Sequence, residues 1–138
     1  MRLLIIVLFV SVQTACSNEL KKTITGNWGV KEIYYQNEYY GANLLSNIIS
    51  FKENGECGFP VISIDQENKG SWSVLEKDSI CKLNLNIPEN PFEGEYWLYF
   101  EKDHEEKLLI MVLKNEVTEI RAAKMMYDFD KEQSKKNR

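Results

Sequence analysis

The sequence predicts an all-β domain, and the arrangement that fits it best is an eight-stranded antiparallel up-and-down β-barrel. Eight runs rich in β-branched and aromatic residues follow one another, separated by clusters of Asn, Asp, Gly, Pro and charged residues that are typical of turns. Hydrophobic and polar residues alternate within several runs, as in strands with one buried face. Because the connections are short, consecutive strands are expected to pair, and closure of the sheet removes its exposed edges. A two-sheet sandwich is the alternative.

The predicted strands, in chain order, cover residues 28–35, 48–52, 57–64, 70–75, 80–87, 96–100, 107–113 and 117–124. Alternation is clearest in the fifth strand, where Cys81, Leu83 and Leu85 share one face. The dipeptide Asn54-Gly55 is the strongest turn signal, because both residues tolerate the left-handed backbone of a tight hairpin. A short helix is predicted near residues 41–46, in the long first connection.

Two segments do not alternate. Residues 96–100 and 108–113 are apolar on both faces. Their outer side is therefore expected to be covered by a helix, a loop or a partner.

The first sixteen residues have the layout of a secretory signal, in which Arg2 precedes a ten-residue apolar run from Leu3 to Val12. A membrane-spanning helix needs roughly 20 apolar residues, so this run is too short to span. The following Thr14-Ala15-Cys16 resembles the lipobox of bacterial lipoproteins. That resemblance implies cleavage before Cys16, acylation of Cys16 with palmitate-type chains, and a lipid-anchored place in the bacterial cell envelope, at the outer membrane. Cleavage by an ordinary signal peptidase near Ala15 is the alternative.

These features divide the chain into a lipoprotein signal peptide (1–15), a lipidated tether (16–22), a barrel domain (23–126) and a charged C-terminal tail (127–138). The signal segment carries one of the 17 basic side chains and none of the 21 acidic ones, so the remaining 123 residues have a net charge of −5. Nucleic acids and anionic membranes both require a basic surface, and this balance argues against them as partners.

Gly26-Asn27-Trp28, at the start of the first strand, resembles the Gly-x-Trp signature of lipocalins. The wider pattern is similar to the short lipocalin-like domains of Bacteroidetes lipoproteins, and its matching segments are residues 24–28, 49–55, 69–74, 108–113 and 118–121. The resemblance implies that Trp28 closes the floor of the barrel beneath an arginine of the last strand. Arg121 is expected to supply that cation–π contact, with Lys124 as the alternative.

Four aromatic or aliphatic side chains on strand positions are candidates to line an internal cavity for a small apolar ligand, namely Trp72, Tyr96, Leu98 and Phe100. The alternative is that they fill the barrel. The tyrosine-rich stretch 34–40 is expected to form either a protein contact surface or a lid over the barrel mouth.

The cysteines Cys57 and Cys81 have two alternatives. An oxidising compartment favours a disulfide between them. If their strands are not neighbours, they are two separate buried thiols.

No catalytic or metal-binding pattern is found, so neither enzymatic activity nor a cofactor is expected. The single histidine, His104, lies in a charged turn, whereas zinc sites need about three or four converging ligands. Glu93 and Glu95 are interpreted as solvated charges.

The functional hypothesis is a membrane-anchored envelope lipoprotein that binds a small hydrophobic or amphipathic ligand. The alternative is a protein-interaction module, an inhibitor or accessory subunit, with a filled barrel. The deciding feature is whether the centre is closed by six side chains, namely Cys57, Phe59, Trp72, Leu83, Tyr96 and Phe100.

Overall fold

Eight strands pair in chain order, and the last of them returns to pair with the first. A computed structural model describes residues 18–61 and 67–126. Its strands are β1 (Gly26–Tyr35), β2 (Glu38–Tyr39), β3 (Ile48–Phe51), β4 (Glu56–Gly58), β5 (Lys69–Lys77), β6 (Ile80–Asn86), β7 (Gly94–Asp103), β8 (Leu108–Lys114) and β9 (Thr118–Lys124). All pairings are antiparallel, and β1 pairs with β9 to close the sheet. The two-residue β2 pairs only with the end of β1, so eight strands form the closed barrel and the predicted fold class is confirmed.

Two of the predicted elements are shorter in the structure. Residues 57–64 were predicted as one strand, but β4 ends at Gly58, and residues 62–66 lie outside the described residues. The short helix expected near residues 41–46 is a single 3-10 turn, Gly41–Asn43. Neither change alters the order of the strands.

The barrel has two ends with different closures. One end carries the helix formed by residues 18–24 and the turns β3–β4, β5–β6 and β7–β8, and we call it the tether end. The other carries residues 36–47, the β4–β5 and β6–β7 connections and the β8–β9 turn, and we call it the loop end.

The helix of residues 18–24 closes the tether end. Ile24 is fully buried, and Leu20 packs against the core. The segment 16–22, predicted as a tether, is therefore part of the folded domain from residue 18 onward. Residues 1–17 and 127–138, which include the predicted signal peptide, Cys16 and the charged tail, lie outside the described residues.

Aromatic side chains close the loop end. Phe92 is fully buried, and its ring lies 6.1 Å from the ring of Tyr35 and 5.8 Å from that of Phe59. Asn90 fixes two of the loops to each other, since its side-chain amide donates to the carbonyl of Glu67 at 2.9 Å. The end that would be the mouth of a hollow barrel is thus filled by side chains.

Two hairpins have two-residue turns in which both residues adopt the left-handed conformation. The β1–β2 turn is Gln36 and Asn37 (φ 51° and 64°), and the β5–β6 turn is Asp78 and Ser79 (φ 53° and 66°). This geometry matches the twist of the flanking strands and produces tight hairpins. The β1–β2 hairpin was not predicted, because Gln36 is an unusual residue for such a turn.

Candidate functional site

The four side chains predicted to line a cavity all belong to the packed interior. Trp72, Tyr96 and Leu98 are buried, and Phe100 packs against them as part of the same cluster. The Phe100 ring stacks on that of Trp28, with centroids 6.1 Å apart. These residues are brought together as predicted, but as part of a filled core.

The interior leaves little room for a ligand. A side chain that lines a space large enough for water exposes part of its surface to that space. Nine interior side chains from five strands and one loop expose none, namely Trp28, Ile33, Ile49, Leu83, Ile87, Phe92, Met111, Leu113 and Ile120. The six residues that were to decide between a hollow and a filled barrel all lie in this core or against it.

Trp28 lies at the tether end, but the cation above it is Lys124. The Lys124 ammonium lies 5.5 Å from the ring centroid of Trp28 and donates to the carbonyl of Thr23 at 2.6 Å. Arg121 instead faces outward and forms an ion pair with Glu101. The assignment of the cation–π contact to Arg121 was therefore wrong, and the alternative, Lys124, is the observed one. Alternation along β9 places Arg121 on the outer face and Lys124 on the inner face.

Cys57 and Cys81 are both free thiols, so the disulfide alternative is wrong for this pair. Cys57 lies on β4 and Cys81 on β6, with β5 between them. They pair with different ends of β5, since Cys57 lies opposite Gly70 and Cys81 opposite Glu76. Burial raises the pKa of the Cys57 thiol to about 11.

The tyrosine-rich stretch divides into an inward pair and an outward pair. Tyr35 and Tyr40 turn inward and pack against the core at the loop end, with their rings 6.1 Å apart. Tyr34 and Tyr39 turn outward, lie opposite each other across the β1–β2 hairpin and remain exposed, with rings 5.4 Å apart. Alternation along the hairpin separates the two pairs.

The outer faces of β7 and β8 were both expected to be covered, but the two faces differ in their exposure. On β8, the outward Val112 has no exposed surface, and its neighbours across the strands are Tyr99 and Arg121. On β7, Trp97 and Tyr99 keep 49% and 43% of their surface exposed. No described segment covers them, so β7 presents two large aromatic side chains to its surroundings.

Charged residues border these aromatic side chains. Trp97 lies between Lys82 of β6 and Lys114 of β8 in the strand register. Lys82 forms an ion pair with Glu95 at 2.8 Å. A pocket of about 350 Å³ opens beside Trp97 and is bounded on its far side by the β8–β9 turn, including Val117. We call the surface formed by Trp97, Tyr99, Lys82, Lys114 and Val117 the Trp97 surface.

The sequence contained a signal for this surface, although no site was predicted there. The apolar character of both faces of residues 96–100 indicated that something should cover the outer side. Only the register shows that lysines flank Trp97 on both neighbouring strands.

His104 lies at the opposite end of β7 from Glu93 and Glu95, the acidic residues considered for chemistry. His104 is exposed in the β7–β8 turn, and Glu93 is exposed in the β6–β7 connection at the loop end. Among residues 18–61 and 67–126, no group of three or more His, Cys, Asp or Glu side chains is placed to hold a metal ion. No helix within these ranges combines the length and the apolar character that a bilayer-crossing helix requires.

Comparison of the chain with protein-family models, with curated proteins and with solved structures found no match. The functional assignment therefore depends on the geometry of the barrel and its surfaces.

Proposed function

We propose that the protein is a lipid-anchored lipoprotein of the bacterial cell envelope that acts as a protein-interaction module through its outer surface. The packed interior favours a protein-interaction module over a carrier that holds a small ligand inside the barrel. A lipocalin-like carrier needs an internal space, and here both ends and the centre are occupied by side chains.

The Trp97 surface is the proposed contact region. Trp, Tyr and Arg are the residues that most often dominate the binding energy of protein interfaces. Trp97 and Tyr99 lie two residues apart on one face of β7, with the Lys82–Glu95 pair on one side and the Arg121–Glu101 pair on the other. An aromatic centre bordered by polar groups is the usual anatomy of such an interface.

The anchor is the second part of the proposal. The Thr14-Ala15-Cys16 sequence supports acylation of Cys16. Several acyl chains hold a protein stably at a bilayer, whereas one chain gives only marginal binding. The first described residue, Asn18, lies at the tether end, so the loop end would point away from the membrane.

The anchor is tested by Cys16→Ser with membrane fractionation. The wild-type protein is expected in the membrane pellet with the mass of an acylated chain, and the variant in the soluble fraction. Recovery of the variant with membranes would contradict the anchor.

The filled interior is tested by native mass spectrometry of the protein after mild detergent extraction. We expect only the mass of the acylated chain. A retained lipid or pigment in stoichiometric amount would restore the carrier hypothesis.

The contact region is tested by placing a photo-crosslinking amino acid at position 97 in the native envelope. A discrete protein adduct is expected there, and none is expected from the matched exposed position 69, on β5. Equal adducts at both positions would contradict a specific surface. Identification of the adduct, followed by loss of binding to the purified partner in Trp97→Ala, completes the test.

A further inference from the structure

The β5–β6 hairpin extends beyond the rest of the barrel wall on its β4 side. β5 covers Lys69–Lys77, but its pairing with β4 ends at Ser71, and the last bond on that side runs from the Trp72 N–H to the Gly55 carbonyl at 2.9 Å. Residues 73–77 continue toward the tether end, a length of roughly 16 Å at about 3.3 Å per residue. The turn of Asp78 and Ser79 closes this projection.

The outward face of the hairpin alternates aliphatic and basic side chains. Leu75 and Ile80 keep 59% and 53% of their surface exposed. Leu75 lies opposite Lys82, and Ile80 lies opposite Lys77. Aliphatic side chains favour the boundary between headgroups and acyl chains, and lysine stems can lie along the same boundary with their ammonium groups in water.

The hairpin lies on the side where the chain would leave for a membrane. Cys16 precedes the helical residue Asn18 by two positions, which corresponds to at most about 7 Å of extended chain. The helix contacts the base of the hairpin, since the Lys21 ammonium lies 5.7 Å from the ring centroid of Trp72. Trp72 is three residues before Leu75 on the same strand. A lipid on Cys16 would therefore hold the exposed Leu75 and Ile80 close to a bilayer.

We propose that the β5–β6 hairpin contacts the bilayer to which Cys16 is anchored and rests Leu75 and Ile80 in its headgroup region. The inference rests on the proposed acylation of Cys16. The lipid anchor supplies the affinity, and the hairpin fixes the orientation of the barrel, because a second contact next to an anchor acts at high effective concentration.

The proposed contact of the hairpin with the bilayer depends on its apolar side chains and not on charge. The hairpin carries Lys77 and Lys82 against Glu76 and Asp78, and the neighbouring β3–β4 turn carries Lys52 and Glu53, so the charges balance. These charges give no net attraction to anionic lipid. The contact is therefore expected to persist at high salt and in zwitterionic bilayers, whereas attraction between exposed charges is screened by salt.

The test uses the purified acylated protein in phosphatidylcholine vesicles that contain brominated lipid. An environment-sensitive fluorophore is attached to Ile80→Cys in a Cys81→Ala background; Cys57 is buried and reacts poorly as a thiol. The matched control is Leu45→Cys in the same background, at a side chain of similar exposure (56%) on the loop end.

We expect quenching by brominated lipid to be at least about threefold greater at position 80 than at position 45, as an order-of-magnitude sign of contact with the bilayer. The difference should be unchanged in 0.5 M salt, because the contact is apolar. Adding Leu75→Ser should reduce the quenching at position 80. Equal quenching at the two positions overturns the proposal. A label at Lys77→Cys, at the exposed tip, provides a second site if the change at position 80 disturbs the hairpin. Equal quenching at positions 77 and 45 would likewise overturn the proposal.

Failure of the anchor gives a different result. If the wild-type chain carries no acyl mass and does not bind the vesicles, the proposed function is overturned, together with the membrane contact that depends on it. If the chain is acylated and vesicle-bound while labels at 80 and 45 respond alike, the anchor stands and only the hairpin contact is overturned.

Discussion

Three buried aromatic residues hold the end segments of the barrel through their single polar atoms. The Trp28 indole N–H donates to the carbonyl of Ile24 in the closing helix at 2.7 Å. The Trp72 indole N–H donates to the backbone carbonyl of Lys52 in the β3–β4 turn at 2.9 Å. The Tyr96 hydroxyl donates to Phe92 at the loop end at 2.5 Å. Each ring therefore contributes both buried area and a fixed connection to a segment that closes the barrel.

Removing one of these connections should destabilise the fold without emptying the core. Tyr96→Phe keeps the ring but leaves the Phe92 carbonyl without its partner, so the free energy of unfolding should fall by about 1–3 kcal/mol. Denaturant titration measures the change. Tyr99→Phe is the matched control because Tyr99 is exposed, and it should change the stability by less than about 0.5 kcal/mol. An equal effect of both substitutions would contradict the connecting role of Tyr96.

The two basic residues of β9 should differ in their contribution to stability. Lys124→Met removes the cation–π contact with Trp28 and the bond to Thr23, and a loss of about 1–2 kcal/mol is expected. Arg121→Met removes only an outward ion pair with Glu101, which should be worth at most about 1 kcal/mol. The two variants are compared by denaturant titration, and a larger loss for Arg121→Met would contradict the placement of Lys124 above Trp28.

Stability should fall in alkali because of Cys57. Burial raises the pKa of its thiol to about 11, above the ordinary value near 9. As the pH rises above 9, the unfolded chain releases this proton and the folded chain retains it, so unfolding becomes more favourable. Burial and the Glu76 carboxylate also raise the pKa of Cys81, which adds to the same trend.

The free energy of unfolding, measured by urea titration between pH 8 and 10, should therefore decrease more steeply in the wild type than in Cys57→Ala. Above pH 10, Tyr96 acts in the same direction, because burial raises its pKa as well. Identical slopes for the two proteins below pH 10 would contradict the burial of Cys57.

At the scale of elements, the hairpins decide which residues face outward. A shift by one residue in a strand moves every side chain to the opposite face. Tight two-residue turns, such as Asp78 and Ser79, fix that register for β5 and β6. Leu75 and Ile80 therefore face outward as a consequence of the turn as well as of the alternation.

Relief of backbone strain in the β5–β6 turn should stabilise the barrel. Ser79 has φ of 66°, a conformation that costs a non-glycine residue about 1 kcal/mol. Ser79→Gly should therefore raise the stability by roughly 0.5–1 kcal/mol. Ser73→Gly, in the middle of β5, is the control and should lower it by a similar amount. Thermal unfolding compares the two, and a loss of stability in Ser79→Gly would argue against this turn geometry.

The strands could be predicted from the sequence, but several of the contacts between them could not. Eight strands and their order follow from alternation and turn residues, because both are local patterns. The position of Lys124 above Trp28 depends on the register between β1 and β9, which are far apart in the chain. The closing role of residues 18–24 and of Phe92 depends on tertiary packing, and no short pattern indicated it. The Trp97 surface was indicated only as a face in need of cover.

At the scale of the whole molecule, the barrel is a folded core enclosed by its own sheet. Both ends are closed from within the chain, by the helix at one end and by aromatic loops at the other. Because its interior is filled, such a barrel can bind other molecules only through its outer surface. With the proposed anchor on Cys16, the tether end would face the membrane, and the loop end and the Trp97 surface would point away from it or lie along its side.

A filled interior makes the barrel sensitive to lost volume. Leu83→Ala should lower the free energy of unfolding by about 2–5 kcal/mol, because its neighbours cannot collapse fully into the space. Leu75→Ala, at an exposed position of the neighbouring strand, should cost less than about 1 kcal/mol. Denaturant titration distinguishes the two cases, and a cost below about 1 kcal/mol for Leu83→Ala would indicate a hollow interior.

The seam between β1 and β9 has a consequence for how the molecule folds. Most pairings join strands that are close in the chain and can form as soon as both are present. The seam joins residues near positions 28–35 with residues 118–124, so the sheet cannot close before almost the entire chain is available. Contacts of such long sequence separation form slowly. A chain that becomes available from its N-terminus onward would thus stay open until its last strand appears, and closure would then complete the domain in one step.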